Sequence, residues 1–423
     1  MIEFKDYKKL KKNLFSIYNE FIDYKIIQFS PWLNLVKAHP HLLTEYDDIF
    51  KKTHKKNIIN SKSLFEILKK MIIFFKEILT SSNFYPISIN HKNIDVMFIS
   101  TLISEENFYS EDDFYFNNIP KEIGKKLNVL LILRNIAKVN PQKIKILSNK
   151  FNYNKLLLPL RCGFYYEIFF ILLMIYTKFK LKQYNYKDSF KEKIYKNLIS
   201  YNVLSKSIRN IRLFYQIKKL IYLYRPKYIV STFEGHIWER SIFCIAKKID
   251  PKIKIIGYQY SIFTKHQNSF FINYKSKFNP SMILTSSIYG EELLKKHYNN
   301  INIAVHTIGN NKNLDNFNFF LSDRFNTCLV IPEGIDSEIE ILFNFTKKCS
   351  HLFSNINFIF KLHPLVDYDL FYDKNKSTFL SQTNLVLSNK SIDDDIKSKG
   401  GYKGDDENNK KLENEKKEFY SIV

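Results

Sequence analysis

The chain has 423 residues, of which 45% are hydrophobic, and its formal net charge is +23 at pH 7. The hydrophobic content excludes wholesale disorder, and the length is sufficient for two α/β domains that each bury a core. The charge favours an anionic partner such as a membrane surface or a nucleotide. Specific nucleic-acid binding is disfavoured, because the lysines are scattered and the sequence has neither a zinc-ligand spacing nor an RNP-like aromatic motif.

The cysteines and the N-terminus favour a reducing compartment. Cys162, Cys244, Cys328 and Cys349 are far apart and lie mostly in apolar runs, which disfavours a disulfide framework or a metal site. The first residues lack the apolar region of a signal peptide, so we expect a cytoplasmic protein that works at the inner face of the plasma membrane. The most apolar stretch, 164–176, is shorter than the ~20 residues that span a bilayer. It predicts a buried helix, with an interfacial helix as the alternative.

The first two thirds of the chain predict a helical extension followed by an α/β domain. Residues 1–90 show periodic apolar residues among lysines, which favours helices. Residues 91–312 alternate apolar runs with helical segments, a pattern typical of a parallel sheet in a Rossmann-like domain. The predicted strands are 94–101, 129–133, 143–147, 156–160, 227–230, 253–257, 281–287 and 303–308.

A second Rossmann-like domain is predicted over 324–396. Its strands are 327–331, 357–362 and 384–387, and its first helix is 338–350. Three strands are fewer than the mean of ~5–6 in a sheet, so the sequence predicts an incomplete, truncated domain. The tail 397–423 is charged and of low complexity, which predicts disorder.

Residues 225–261 contain the densest group of candidate functional residues. A strand, the loop with Glu234, Gly235 and His236, a helix and a second strand are predicted there, and Gln259 and Ser261 follow the second strand. In a parallel strand–helix–strand unit both loops leave the carboxyl edge of the sheet, where open α/β sheets bind ligands. The sequence therefore predicts a binding site at this edge.

The runs EGHIWER (234–240) and GYQYS (257–261) resemble a family of bacterial surface-carbohydrate biosynthesis proteins. The resemblance extends over about 94–392 and implies a glycosyltransferase of the twin-Rossmann GT-B type, acting in capsule, O-antigen or related surface polysaccharide assembly. It also implies a nucleotide-sugar donor and a glycan or lipid-linked acceptor. The family usually has GYQH, and Tyr260 stands here in the histidine position, so no role of that imidazole carries over.

A looser resemblance lies in the second domain. The segments PEG (332–334) and KLHP (361–364) are similar to motifs of bacterial sialyltransferases that use CMP-activated sugars. The resemblance implies Glu333, before Gly334, as general base, and a nucleotide-phosphate contact for His363 and Pro364. Lys361 adds a positive charge on the same strand. Ser388, after the last predicted strand, is a further candidate donor to phosphate oxygens.

An inverting sugar transfer needs a carboxylate to take the acceptor proton and donors that stabilise the departing phosphate. Glu234 and Glu333 each precede a predicted helix, and both remain candidates for that base. The same position also fits a glutamate that only caps its helix. Twin Rossmann domains are expected to bring Glu234 and His363 to one cleft.

No Walker, GxGxxG, HExxH, GxSxG or CxxC pattern occurs, and no convincing DxD loop is found. We therefore expect a metal-independent enzyme without a cofactor. Two alternatives remain, a nucleotide-sugar epimerase or hydrolase of similar shape, and an inactive or scaffold protein of a glycan locus.

Overall fold

The computed structural model describes residues 4–21, 93–139, 153–201, 207–261, 275–299, 303–309, 326–332, 336–363 and 366–388. The chain divides into two compact units, 1–313 together with 414–423, and 314–413. Most of the predicted helical extension, the strand predicted at 143–147 and the charged tail lie outside the described residues.

The first unit contains a parallel sheet with the strand order β3-β2-β1-β4-β5-β6-β7. Central strands such as β1 are buried on both faces, which explains their continuous apolar sequence. The order reverses between β1 and β4, and open sheets of this kind bind ligands at that switch point. The bounds are β1 Val96–Leu102, β2 Val129–Asn135, β3 Asn154–Leu157, β4 Tyr228–Thr232, β5 Lys254–Gln259, β6 Met282–Thr285 and β7 Ala304–Thr307.

Helices cover both faces of this sheet or form a separate helical layer. A short 3-10 helix at Ser276–Phe278 precedes β6. The α-helices among the described residues of this unit are α1 Phe4–Phe21, α2 Glu106–Tyr109, α3 Ile119–Gly124, α4 Phe164–Lys182, α5 Ser189–Tyr201, α6 Ser207–Tyr224, α7 Ile237–Ile249 and α8 Ile288–Tyr298.

Helix α4 differs from its prediction as a buried helix. One side packs against α1, α5 and α6 through Phe170, Met174 and Leu181. The opposite side presents apolar side chains that are each more than half exposed, namely Tyr165, Phe169, Leu172, Ile175, Tyr176 and Phe179. The prediction was wrong for this side, because a helix that is apolar all round does not reveal which of its faces has a partner. No described helix is long and apolar enough to cross a bilayer.

A buried ion pair joins α4 to α6. Glu167 is fully buried and accepts two hydrogen bonds from Arg212 Nε, at 2.8 and 3.0 Å, and one from Nη2 at 2.5 Å. The Cys162 N–H donates to the same carboxylate at 3.1 Å. This planar, two-pronged geometry is the arrangement in which a buried charge pair is best compensated for lost water.

The second unit contains a three-stranded parallel sheet with the order β10-β9-β8. Its core includes Phe343, Phe358, Phe360 and Leu387. The elements are β8 Thr327–Val330, α9 Asp336–Leu352, β9 Asn357–Lys361, α10 Tyr368–Ser381 and β10 Leu385–Ser388. The predicted α/β class with two parallel, Rossmann-like sheets is therefore confirmed.

Candidate functional site

The site of the first unit is built on the loop between β4 and α7. Gly235 has a φ of +78°, a left-handed conformation that favours glycine, and it turns the chain from the strand into the helix. His236 is the N-cap residue of α7 and forms a capping box with Glu239. The loop therefore leaves β4 at the switch point of the sheet and begins a helix within four residues.

Glu239 fixes this loop from inside the protein. Its fully buried carboxylate accepts the His236 N–H at 2.8 Å, the Glu234 N–H at 3.1 and 3.2 Å, and the Thr232 hydroxyl at 3.4 Å. Backbone N–H donors to a carboxylate stabilise its charged form at a helix N-terminus. Glu239 is consequently a structural anion under the loop, and Glu234 is the carboxylate that the loop presents.

The Glu234 carboxylate is held by two side chains. Its Oε2 lies 2.7 Å from His236 Nε2, and its charged form is hydrogen bonded to the Tyr260 hydroxyl. In the capping box the His236 imidazole accepts the Glu239 N–H, so Nε2 is assigned as the donor to Glu234. A carboxylate has about four acceptor positions, which leaves capacity for a substrate hydroxyl.

Two tyrosines complete this side of the site. The rings of Tyr115, from the segment after β1, and Tyr260, after β5, meet edge to face with centroids 4.8 Å apart. Burial and the charge of Glu234 raise the pKa of both phenols. The two hydroxyls therefore stay protonated at neutral pH, and that of Tyr260 donates to Glu234.

Arg134 and Trp238 form the cationic part of the site. The guanidinium carbon of Arg134, near the end of β2, lies 3.7 Å from the centroid of the Trp238 ring. Arg134 Nη1 also donates to Thr101 on β1 at 3.4 Å. Burial lowers the pKa of Arg134 to about 10, although Glu239, Tyr115 and Tyr260 act in the opposite direction. The guanidinium thus keeps its charge at neutral pH.

Gln259 and Ser261 are hydrogen bonded to each other rather than being two exposed side chains. Gln259 is fully buried, and its amide Nε2 donates to the Ser261 carbonyl and, at 3.4 Å, to the Ser261 hydroxyl. Its Oε1 accepts no hydrogen bond within the part of the chain that the structure describes. Gln259 thereby orders the turn that positions Tyr260 and Ser261.

A close backbone approach keeps β4 and β5 in place beneath the site. The Phe233 N–H donates to the Tyr258 carbonyl at 2.7 Å. A Cβ atom added to Gly257 would lie 2.9 Å from the Cβ atom of Phe233, which is shorter than real contacts. Only glycine fits at this position without displacing Phe233, the residue that precedes Glu234 in the loop.

In the second unit, two of the predicted phosphate-binding residues lie side by side. Lys361 and Ser388 end β9 and β10 and are register partners in the parallel pairing. His363 follows Lys361 by two residues, and its carbonyl accepts the Val366 N–H at 2.9 Å. Glu333, Gly334 and Pro364 lie outside the described residues. No group of three or more metal-ligating side chains occurs among the described residues.

The structure thus brings Glu234, Gly235 and His236 together with Ser261 at the edge of one sheet, and Lys361 with Ser388 at the edge of the other. Sequence reasoning missed Arg134 and Tyr115 as members of the first group. Tyr260 was noticed only as a departure from the family pattern. A signal for Arg134 existed, since it directly follows the predicted strand 129–133.

No protein-family model matches the chain, and no curated protein is significantly similar to it in sequence. Among solved structures, the chain is similar to UDP-GlcNAc 2-epimerase from Methanocaldococcus jannaschii, at 13% identity over 70% of this chain and 74% of that one, with a TM-score of 0.38. The corresponding enzyme from Neisseria meningitidis, bound to UDP-GlcNAc, has 10% identity, coverages of 70% and 73% and a TM-score of 0.36.

A third similar structure is Phytolacca americana UGT2, complexed with UDP-2-fluoro-glucose and pterostilbene. It has 9% identity, coverages of 70% and 72% and a TM-score of 0.35. Likenesses at these TM-scores do not identify a function, which has to come from the residues of the site.

Proposed function

We propose that this protein is a glycosyltransferase that moves a sugar from a nucleotide-activated donor to a glycan or lipid-linked acceptor. The observation that carries the proposal is the Glu234 carboxylate, hydrogen bonded by His236 and Tyr260 at the switch point of the sheet. Such a carboxylate is suited to accept the proton of an acceptor hydroxyl as that oxygen attacks the sugar. CMP-sugars are the first donors to test.

In the proposed inverting mechanism each held group has one role. Glu234 takes the acceptor proton, while His236 and Tyr260 orient its carboxylate. Lys361, His363 and Ser388 stabilise the nucleotide phosphate that leaves, because cations and hydroxyl donors lower the free energy of the developing charge. Glu333 remains the competing candidate for the base, with Gly334 and Pro364 beside the donor. The expectation that Glu234 and His363 face one cleft stays a prediction.

The proposed reaction uses the nucleotide sugar as a substrate and neither a metal nor a further cofactor. Its proton goes to a carboxylate, and its leaving group is a nucleotide that is stable in water. Protein cations can therefore supply the charge stabilisation that a divalent ion supplies elsewhere. This part of the proposal is tested by adding a chelator, which is expected to leave turnover unchanged.

We further propose that the protein works in the cytoplasm at the inner face of the plasma membrane, in surface polysaccharide assembly such as capsule or O-antigen synthesis. The exposed apolar face of α4 and the three lysines of its last two turns support this placement. These are Lys178, Lys180 and Lys182. Apolar helix faces with flanking lysines partition into the headgroup region of anionic bilayers.

The test of the function is a product analysis with radiolabelled CMP- and UDP-sugars and a lipid extract as acceptor, together with calorimetric titration of CMP and UDP. Label in the lipid fraction supports the transferase. Label recovered as free sugar or as an isomeric nucleotide sugar would instead identify a hydrolase or an epimerase. Failure of both nucleotides to bind would favour the scaffold alternative.

A further inference from the structure

Among the described residues, Arg134 forms no ion pair. No carboxylate lies within ion-pair distance of its guanidinium among the described residues of the chain. A partly buried charge without a partner costs free energy, and proteins usually pair it. Arg134 contacts the neutral Thr101 hydroxyl and the neutral Trp238 ring, so its charge is available to a ligand.

The guanidinium is also held in a fixed orientation. Its carbon lies 3.7 Å from the centroid of Trp238, whose own side chain is 94% buried and therefore cannot move freely. Beyond Arg134, the Asn135 amide donates to the Val139 carbonyl at 2.7 Å and accepts the Val139 N–H at 3.0 Å, which closes the loop. A planar cation held in this way can bind an oxyanion through two parallel hydrogen bonds.

The groups around Arg134 are neutral hydroxyls and carboxylates that have hydrogen-bond donors of their own. Tyr115 and Tyr260 keep protonated, neutral hydroxyls, and both residues interact electrostatically with Arg134. The nearby anion Glu239 is already surrounded by backbone N–H donors. The Glu234 carboxylate is likewise held by His236. Both nearby carboxylates thus have donors of their own, and the guanidinium of Arg134 can still bind an anionic ligand.

We propose that Arg134, stacked on Trp238, binds an anionic group of the acceptor, either a phosphate or a carboxylate. The inference rests on the proposed function, since it makes the acceptor an acidic sugar or a phosphate-bearing lipid. In that arrangement the anion is anchored at β2, and the hydroxyl to be glycosylated lies towards Glu234. Arg134 is then a specificity residue that raises affinity for acidic acceptors.

Trp238 provides a direct measurement of binding. The chain has two tryptophans, Trp32 and Trp238, so the variant Trp32→Phe reports only on the site. Inorganic phosphate, glucose 6-phosphate and glucuronate are titrated at constant ionic strength, with sodium chloride as the blank. We expect a saturable change in emission for the phosphates or for glucuronate, with Kd raised about tenfold or more by Arg134→Gln, which corresponds to ~1.4 kcal/mol.

Two further variants separate the bidentate site from general charge and from misfolding. Lys138→Gln removes an exposed positive charge from the loop that follows β2 and is expected to leave Kd within about twofold. Arg134→Lys keeps the charge but loses the planar fork, so its Kd is expected between those of the parent and of Arg134→Gln. Thermal unfolding followed by circular dichroism verifies that each variant is folded.

Three results of the binding experiment would overturn the inference. These are the absence of a saturable change with every anion, equal Kd values in the parent and Arg134→Gln, and displacement of phosphate by CMP or UDP, which would assign Arg134 to the donor instead. Fluorescence binding requires no turnover, so it can succeed while the transferase assay fails. Conversely, active transfer with an unchanged KM for an acidic acceptor in Arg134→Gln would reject the inference and keep the function.

Discussion

His236 Nε2 lies 2.7 Å from Oε2 of Glu234, and the capping box engages the other side of the same imidazole. With both ring nitrogens engaged, the histidine orients the carboxylate, and in the proposed mechanism Glu234 accepts the proton. This assignment distinguishes Glu234 from a glutamate that only caps a helix, because the capping carboxylate of α7 is Glu239. Replacement of Glu234 is therefore expected to affect the chemical step.

The variant Glu234→Gln is expected to lower kcat by about 10²–10⁴-fold, the range in which a general base contributes, with nucleotide affinity nearly unchanged. Initial rates and calorimetric titration measure the two quantities. Glu292→Gln, an exposed position on α8, is the matched control and should behave as wild type. Glu333→Gln tests the competing base, and wild-type turnover in both Glu234→Gln and Glu333→Gln would remove both assignments.

Tyr260→Phe removes the hydroxyl that donates to Glu234 while it keeps the ring against Tyr115. A hydrogen bond to a charged group is worth ~1.5–3 kcal/mol, so we expect kcat to fall roughly ten- to a hundredfold with little change in thermal stability. Tyr289→Phe, an exposed tyrosine on α8, is the control. An unchanged kcat in Tyr260→Phe would show that this hydroxyl has no part in positioning the base.

Gly257→Ala is expected to destabilise the first unit by about 1–3 kcal/mol, because the added methyl group lies 2.9 Å from the Cβ atom of Phe233 and 3.0 Å from its Cγ atom. Urea unfolding of the full chain followed by circular dichroism measures the change. A midpoint equal to that of wild type would mean that β4 and β5 separate easily, contrary to their close pairing.

Lys155, a buried residue of β3, gives a prediction for pH dependence. Burial lowers its pKa from 10.5 to about 8, although the negative charges of Asp113, Asp112 and Glu111 oppose the shift. The folded protein thus binds fewer protons than the unfolded chain between about pH 8 and 10.5, and stability rises with pH in that window. Below pH 8 both states are protonated and the full cost of the buried charge remains.

We therefore expect the free energy of unfolding of wild type, relative to Lys155→Met, to increase by ~2 kcal/mol between pH 7 and 9.5. The comparison cancels the tyrosines and cysteines that titrate in the same range, among them Tyr153 beside Lys155. Urea titrations at four pH values measure it. A constant difference would indicate that Lys155 keeps an ordinary pKa in the folded protein.

The exposed face of α4 is expected to bind anionic bilayers. The double variant Leu172→Gln with Tyr176→Gln should lower binding to vesicles of phosphatidylcholine with about one third phosphatidylglycerol by tenfold or more, since it removes two apolar contacts. Vesicle sedimentation measures binding, and Ile341→Gln, an exposed position of α9, is the control. A concentration-dependent dimer that the same variant abolishes would instead identify a second copy as the occupant.

Local pattern was sufficient to predict most strands and the loop of Glu234. The strand predicted at 129–133 is observed as Val129–Asn135, and the strand predicted at 357–362 as Asn357–Lys361. The rest of the site depends on strand order. Arg134 is a hundred residues from Glu234 in sequence, and only the sequence β2-β1-β4 within the sheet brings their strands close together. Hydrophobic periodicity predicts strands but does not say which of them are neighbours.

The contact partners of individual side chains were the second feature that could not be predicted from the sequence. Trp238 is buried, as is usual for a large aromatic residue, and the guanidinium of Arg134 also stacks on its ring. Gln259 was expected to contact substrate, whereas its amide bonds to Ser261. The residue type was informative about burial or polarity in both cases. The partner of Trp238 lies about a hundred residues away in the chain, and the polarity of Gln259 does not reveal that its amide turns back to Ser261.

The bonds that Glu239 makes under the loop have a consequence for ligand recognition. Three groups of the loop donate hydrogen bonds to the Glu239 carboxylate and fix the loop. The conformational entropy of the loop is therefore lost when the protein folds and not when a ligand binds. Ligand association with this loop is accordingly expected to be a single fast step without a slow rearrangement, and the β4–α7 amides should exchange with deuterium as slowly before binding as after it.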